Sequence, residues 1–177
     1  MNTGTDKPGD KHFLTRLMSM DENTWQRHAS PLSVWSRVLT GLPVVLLAVW
    51  SIKPLGLWSL GTLGLAFFWL WLNPRLFPAP KNTDNWASKV TFGERIYLER
   101  KHLVIPRHHL QWAQFLAIAS GTGFFLALGG AYFNALLPTL VGGVISWFGK
   151  MWFCDRMVWL FEDMKTSDPQ YTTWLRK

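Results

Sequence analysis

Cysteine is almost missing from this chain. Cys154 is the only one in 177 residues, so no internal disulfide can form and no thiolate cluster can hold a metal. Acidic residues are also sparse, 11 against 18 Lys and Arg, which leaves a formal net charge of +7. The more informative gaps are regional. Lys53 is followed by nineteen residues without a formal charge, Pro54 to Leu72, and His109 by forty, Leu110 to Gly149. A mean hydropathy of +0.07 would by itself allow a soluble protein, but forty uncharged residues do not fit a soluble fold of this size. The first thirty-six residues lack the apolar segment of a secretory signal, so the first apolar run is read as an uncleaved anchor.

A helix rises about 1.5 Å per residue, so a hydrocarbon layer of about 30 Å takes roughly twenty residues to cross. The forty-residue stretch therefore makes two crossings, with a turn at Gly129-Gly130-Ala131-Tyr132. Between Arg37 and Lys53 lie fifteen residues, VLTGLPVVLLAVWSI, a length that also suits a buried soluble helix. Only Lys53 and Pro54 separate this run from the next span, and both flanking cations can snorkel, so it too is placed in the bilayer. The expected fold is an all-α membrane protein with four transmembrane helices, at about 36–53, 54–72, 110–128 and 133–152. These lie in one membrane domain, 21–164, between an N-terminal arm, 1–20, and a tail, 165–177.

Charge gives an independent check. Lys and Arg number five up to Arg37, one in the first turn, seven in the 73–109 loop, none in the second turn and five from Lys150 onward. Four spans put seventeen on one side and one on the other, which predicts that both termini and the long loop are cytoplasmic, in a plasma or inner membrane. The basic pI of about 9.9 then follows from topology and requires no nucleic acid; anionic lipid headgroups are the expected partner. Trp25, Trp35, Trp69, Trp71, Trp86, Trp112, Trp147 and Trp152 fall near span ends on that side, as interfacial anchors or simply as core.

The stretch WLWLNPRLFPAP marks an exit: the second span ends at Leu72, Asn73 turns the chain, Pro74 stops the helix and Arg75 meets headgroup phosphates. Farther along the loop, RIYLERKHLVI alternates weakly and suggests a short β-hairpin. Beyond Lys150, Asp155, Arg156, Glu162 and Asp163 share an arc of roughly 120° on a helix, which predicts an amphipathic extension of the fourth span. Its acidic face should pair with the basic loop.

The motifs HASPLSVWSR (28–37), NPRLFPAP (73–80), DNWASK (84–89), FGER (92–95) and KMWFCDRMVWLFEDM (150–164), in this order, resemble an uncharacterised prokaryotic family of small integral membrane proteins, a domain of unknown function. Ser30 departs from the Asn more usual before Pro31 in that pattern. The resemblance implies no activity, cofactor or catalytic residue.

Between their flanking cations the spans hold polar but no charged residues, which argues against ion-coupled transport. Small residues recur every four positions in Ala113-Ala117-Gly121, Ala119-Gly123-Ala127 and Ala135-Thr139-Gly143, either packing within one unit or forming a homo-oligomer seam. A functional site is expected on the cytoplasmic face, from Arg75, Glu94, Arg95, His108, His109, Asp155, Arg156, Glu162 and Asp163. These could hold and turn over a phosphate-bearing lipid, or form a salt-bridged structural cap. No zincin motif, phosphate loop or nucleophile elbow is present, and the adjacent pair His108-His109 is not by itself a metal signature. No cofactor or metal is expected. The favoured function is a non-catalytic membrane component that associates with lipid or protein; a membrane enzyme and an oligomeric passive channel are the alternatives.

Overall fold

The computed structural model describes residues 22–177, so the N-terminal arm, 1–20, lies outside the described residues. The chain forms α1 (Glu22–His28), α2 (Pro31–Trp50), α3 (Ile52–Leu55), α4 (Ser59–Leu76), α5 (Trp86–Leu98), α6 (Arg107–Tyr132), α7 (Leu136–Met164) and α8 (Pro169–Thr173). A short 3-10 turn, Gly56–Trp58, links α3 to α4. Four stretches are long and apolar enough to cross a membrane: Pro31–Trp50, Ile52–Leu76, Arg107–Tyr132 and Leu136–Met164. Leu47, Phe67, Phe125, Leu137 and Phe148 all point outward. Such a continuous apolar exterior is stable in lipid and not in water.

Small residues set the spacing of the spans. A Cβ added to Gly123 would lie 2.5 Å from the Ser146 backbone nitrogen, and one on Gly142 would lie 2.4 Å from that of Ala127. Only glycine lets α6 and α7 approach this closely, the means by which helices gain contact where lipid supplies no hydrophobic drive. Ala119-Gly123-Ala127 thus contributes Gly123 and Ala127 to the seam. On α7 the buried row is Thr139, Gly142, Ser146 and Gly149, one register away from the expected Gly143.

The two turns meet at one end of the bundle. Lys53 Nζ donates to the Phe133 carbonyl at 3.1 Å, and Asn134 Nδ2 donates to the Trp50 carbonyl at 2.9 Å. The second turn falls at Phe133–Ala135, after the expected Gly129–Tyr132, because Asn134 takes the left-handed conformation there (φ 55) while Gly130 is needed at the seam, against Thr139. Pro138 sits in the first turn of α7, where its missing N–H costs nothing, so no kink is required.

The opposite end carries a cap built from α1, α5, the last turns of α7 and α8. Phe92 and Ile96 from α5, Met157, Leu160 and Phe161 from α7, Ile105 and Tyr171 form its core. Two sequence expectations fail here. No strand occurs among the described residues: of the expected hairpin, 95–105, the first four residues complete α5 and the rest form turns and coil, and the Asn85 side chain caps α5 by accepting from the Ser88 N–H at 3.0 Å. Ala87, Ser88, Val90, Thr91, Phe92, Gly93 and Ile96 are all buried, at positions round most of the helix circumference, so α5 is enclosed by the cap. Nor does Pro74 stop α4, which continues to Leu76. Asn73 is fully buried and donates to Ser36 Oγ at 2.8 Å, pinning the backbone in helical form just ahead of the proline.

Candidate functional site

The ionisable residues expected in one pocket are distributed over the cap in separate groups. Glu94 on α5 accepts from Lys150 Nζ at 2.7 Å, where α7 passes from cap to span. Burial alone would raise the Glu94 carboxyl, but Lys150, His28 and Arg37 outweigh it and hold it below the usual carboxylate range. His28 lies beside this pair. Its burial, reinforced by the Arg37 guanidinium against its ring nitrogens and only partly opposed by Glu94, lowers the imidazole pKa to about 3. Arg37 also donates to the His28 carbonyl at 3.4 Å. The group thus gathers two cations, a carboxylate and a neutral imidazole where α1, α2, α5 and α7 meet.

A second group lies on the partly exposed surface of the cap. Lys89 bridges Asp84 at 2.7 Å and Glu162 at 2.8 Å, and Glu162 also pairs with Lys165 at 2.5 Å. Hydrogen bonding to Lys89 holds the Asp84 carboxyl below its ordinary value, and the two carboxylates raise the Lys89 ammonium above its own. Glu162 from the acidic face of α7 therefore does meet a cation of the loop, through Lys89.

The third group forms where the start of α6 reaches the end of α7. His109 is buried and its Nε2 contacts Asp163 Oδ2 at 2.8 Å; the His108 ring lies 4.1 Å from that of His109, centre to centre. Asp155 accepts from the Trp86 indole at 3.2 Å, and Arg156 lies over Trp159 at 4.7 Å. Arg95 is stacked 4.5 Å from Trp174 and 5.8 Å from Trp25 in a cleft of about 340 Å³, also lined by Thr91, Gln170 and Arg176.

Arg75 stands apart from all of these, at the exit of α4. Its Nη1 donates to the Trp71 carbonyl at 2.5 Å, its guanidinium lies 4.4 Å from the Trp71 ring, and its own carbonyl accepts from Arg27 at 3.5 Å. Of the nine expected residues, His108, His109 and Asp163 converge. His28, Arg37 and Lys150 were not among the nine, although HASPLSVWSR holds the first two and KMWF begins with the third.

No curated protein and no solved structure matches the chain. The chain belongs to the family of unknown function DUF6653, which matches residues 11–176.

Proposed function

We propose that this is a non-catalytic component of the cytoplasmic membrane that holds anionic phospholipid headgroups at its capped end, with the cap in the cytoplasm. The observation that carries this reading is a set of arginines at the bilayer entry. Arg27, Arg37 and Arg75 form no ion pair with a carboxylate among the described residues, whereas the cap lysines Lys89, Lys150 and Lys165 are all paired. Arg27 reaches the Arg75 carbonyl, which puts these two arginines together at the exit of α4, and Arg37 reaches the His28 carbonyl at the end of α1. A guanidinium at headgroup depth offers parallel N–H donors that match a phosphate. The orientation is supported by the meeting of the two turns at the far end, where Lys53 is the one Lys or Arg among the described residues outside the cap side.

The test is native mass spectrometry of the protein purified with equal phosphatidylglycerol and phosphatidylcholine. Preferential retention of phosphatidylglycerol, reduced in Arg27→Ala and in Arg75→Ala, is expected; equal retention of the two lipids would overturn the reading. Orientation is checked separately by placing a cysteine at Lys53 or Lys101 and labelling intact cells with an impermeant maleimide. Lys53→Cys should label and Lys101→Cys should not.

A further inference from the structure

We propose that His108, His109 and Asp163 form a binding site for one divalent transition-metal ion of the zinc class. Each side chain offers one donor atom, and the three donor atoms lie within 4.8 Å of one another. Donors that share a tetrahedral zinc ion at about 2.0 Å stand about 3.3 Å apart. The 2.8 Å between His109 and Asp163 is already inside that spacing, and closing the rest takes only a rotation of exposed side chains, since His108 and Asp163 are both exposed. Two imidazole nitrogens and one carboxylate oxygen make a mixed donor set that suits zinc and its neighbours and not calcium or magnesium, which prefer oxygen alone.

The buried member fixes one donor in place: His109 is 1 % exposed and its Nε2 is held toward Asp163, while its Nδ1, on the other side of the ring, has no hydrogen-bond partner and takes no part in the site. The backbone supports the arrangement: adjacent histidines open α6, and α7 returns its last turn beside them, so the donors come from two helices already locked by the glycine seam. Binding would clamp the start of one spanning helix to the end of the other at the water-facing surface, leaving further positions on the ion open to solvent. The positive start of α6 and the neighbouring Arg107 weaken cation binding, which makes this an exchangeable site and not a closed structural one.

Full-length protein in detergent, stripped with EDTA, is titrated with Zn²⁺ by calorimetry and with Co²⁺ by visible absorption. One ion per chain is expected, with Co²⁺ giving the intense bands of a low-symmetry site. Loss of an outer-shell partner alone costs about 10–100-fold in metal affinity, so His108→Ala and Asp163→Asn should each weaken binding at least tenfold. Both positions are exposed, so the variants should keep the wild-type circular dichroism spectrum, and His102→Ala should bind as wild type. Absence of stoichiometric uptake, or an affinity unmoved in both His108→Ala and Asp163→Asn, would overturn the proposal. The readout involves no lipid and stands apart from the headgroup reading.

Discussion

Gly142 and Phe161 lie on the same helix, α7, yet they are buried for opposite reasons. Phe161 fills the core of the cap with Phe92, Ile96 and Leu160, where water outside drives apolar groups together. Gly142 is buried because nothing larger fits between its backbone and that of Ala127. In the bilayer half the large side chains point outward to lipid, and helix contact comes from the smallest residues. One helix thus obeys two solvents in succession, and the change falls near Lys150, whose ammonium pairs with Glu94.

The comparison can be broken first at its tightest cap contact. A Cβ on Gly93 would sit 1.9 Å from the Met157 carbonyl oxygen, backbone against backbone, so Gly93→Ala should cost at least ~3 kcal/mol and detach α5 from α7. Thermal unfolding in detergent, with proteolysis of the 77–106 segment as a second readout, measures it. Phe161→Ala should follow, at about 3–5 kcal/mol, because a fully buried ring leaves a cavity. If Leu were tolerated at Gly93, the cap would not be packed as described.

An acid titration separates the halves next. Below pH 6.5 the unfolded His28 imidazole takes a proton that the folded one, held near 3, refuses, so stability falls as pH drops from 6.5 toward 3 and is flat above that window. Glu94 acts in the same direction: its depressed pKa stabilises the fold above the usual carboxylate value of 4.5, and this is lost as pH falls below it. The combined loss is on the order of a few kcal/mol, read as a lower Tm at about pH 5 than at neutrality. His28→Gln should flatten the upper part of the curve.

The smallest effects sharpen the bilayer half. Gly142→Ala meets the Ala127 backbone nitrogen at 2.4 Å and should destabilise the α6–α7 pair, whereas Gly61→Ala and Gly64→Ala on α4 meet nothing within 4 Å and should be neutral or slightly stabilising. Lys89→Met, which removes only a partly exposed bridge, should cost under ~1 kcal/mol.

The spanning helices were legible because a run of apolar residues about twenty long has few other uses, and four such helices are found where the uncharged stretches lie. Their ends were less so. α2 starts at Pro31, five residues before its expected boundary, since Pro31 is well suited to a first helical turn and Arg37 can lie at the interface inside a helix. The cap was the least legible part. Its contacts join residues far apart in sequence, such as Glu94 with Lys150 and His109 with Asp163, and no local period announces them. The acid and basic faces were visible from residue type, but which cation each acid meets is decided by the tertiary fold. The N-cap of α5 was the one local signal available and missed, an Asn85 followed three residues on by Ser88.

Thr83 offers a last consequence, in the time course of synthesis. Its hydroxyl donates to the Trp174 carbonyl at 2.7 Å and accepts from the Arg176 N–H at 2.7 Å, partners 91 and 93 residues farther along the chain. At ribosomal speeds of about 5–20 residues per second, the loop that carries Thr83 waits on the order of ten seconds for the segment that closes it. For most of that interval, until residues 157–164 are made, α5 has no α7 to pack against. The nascent cap is open for that whole period, and its large apolar side chains are then accessible to whatever chaperone attends the membrane surface.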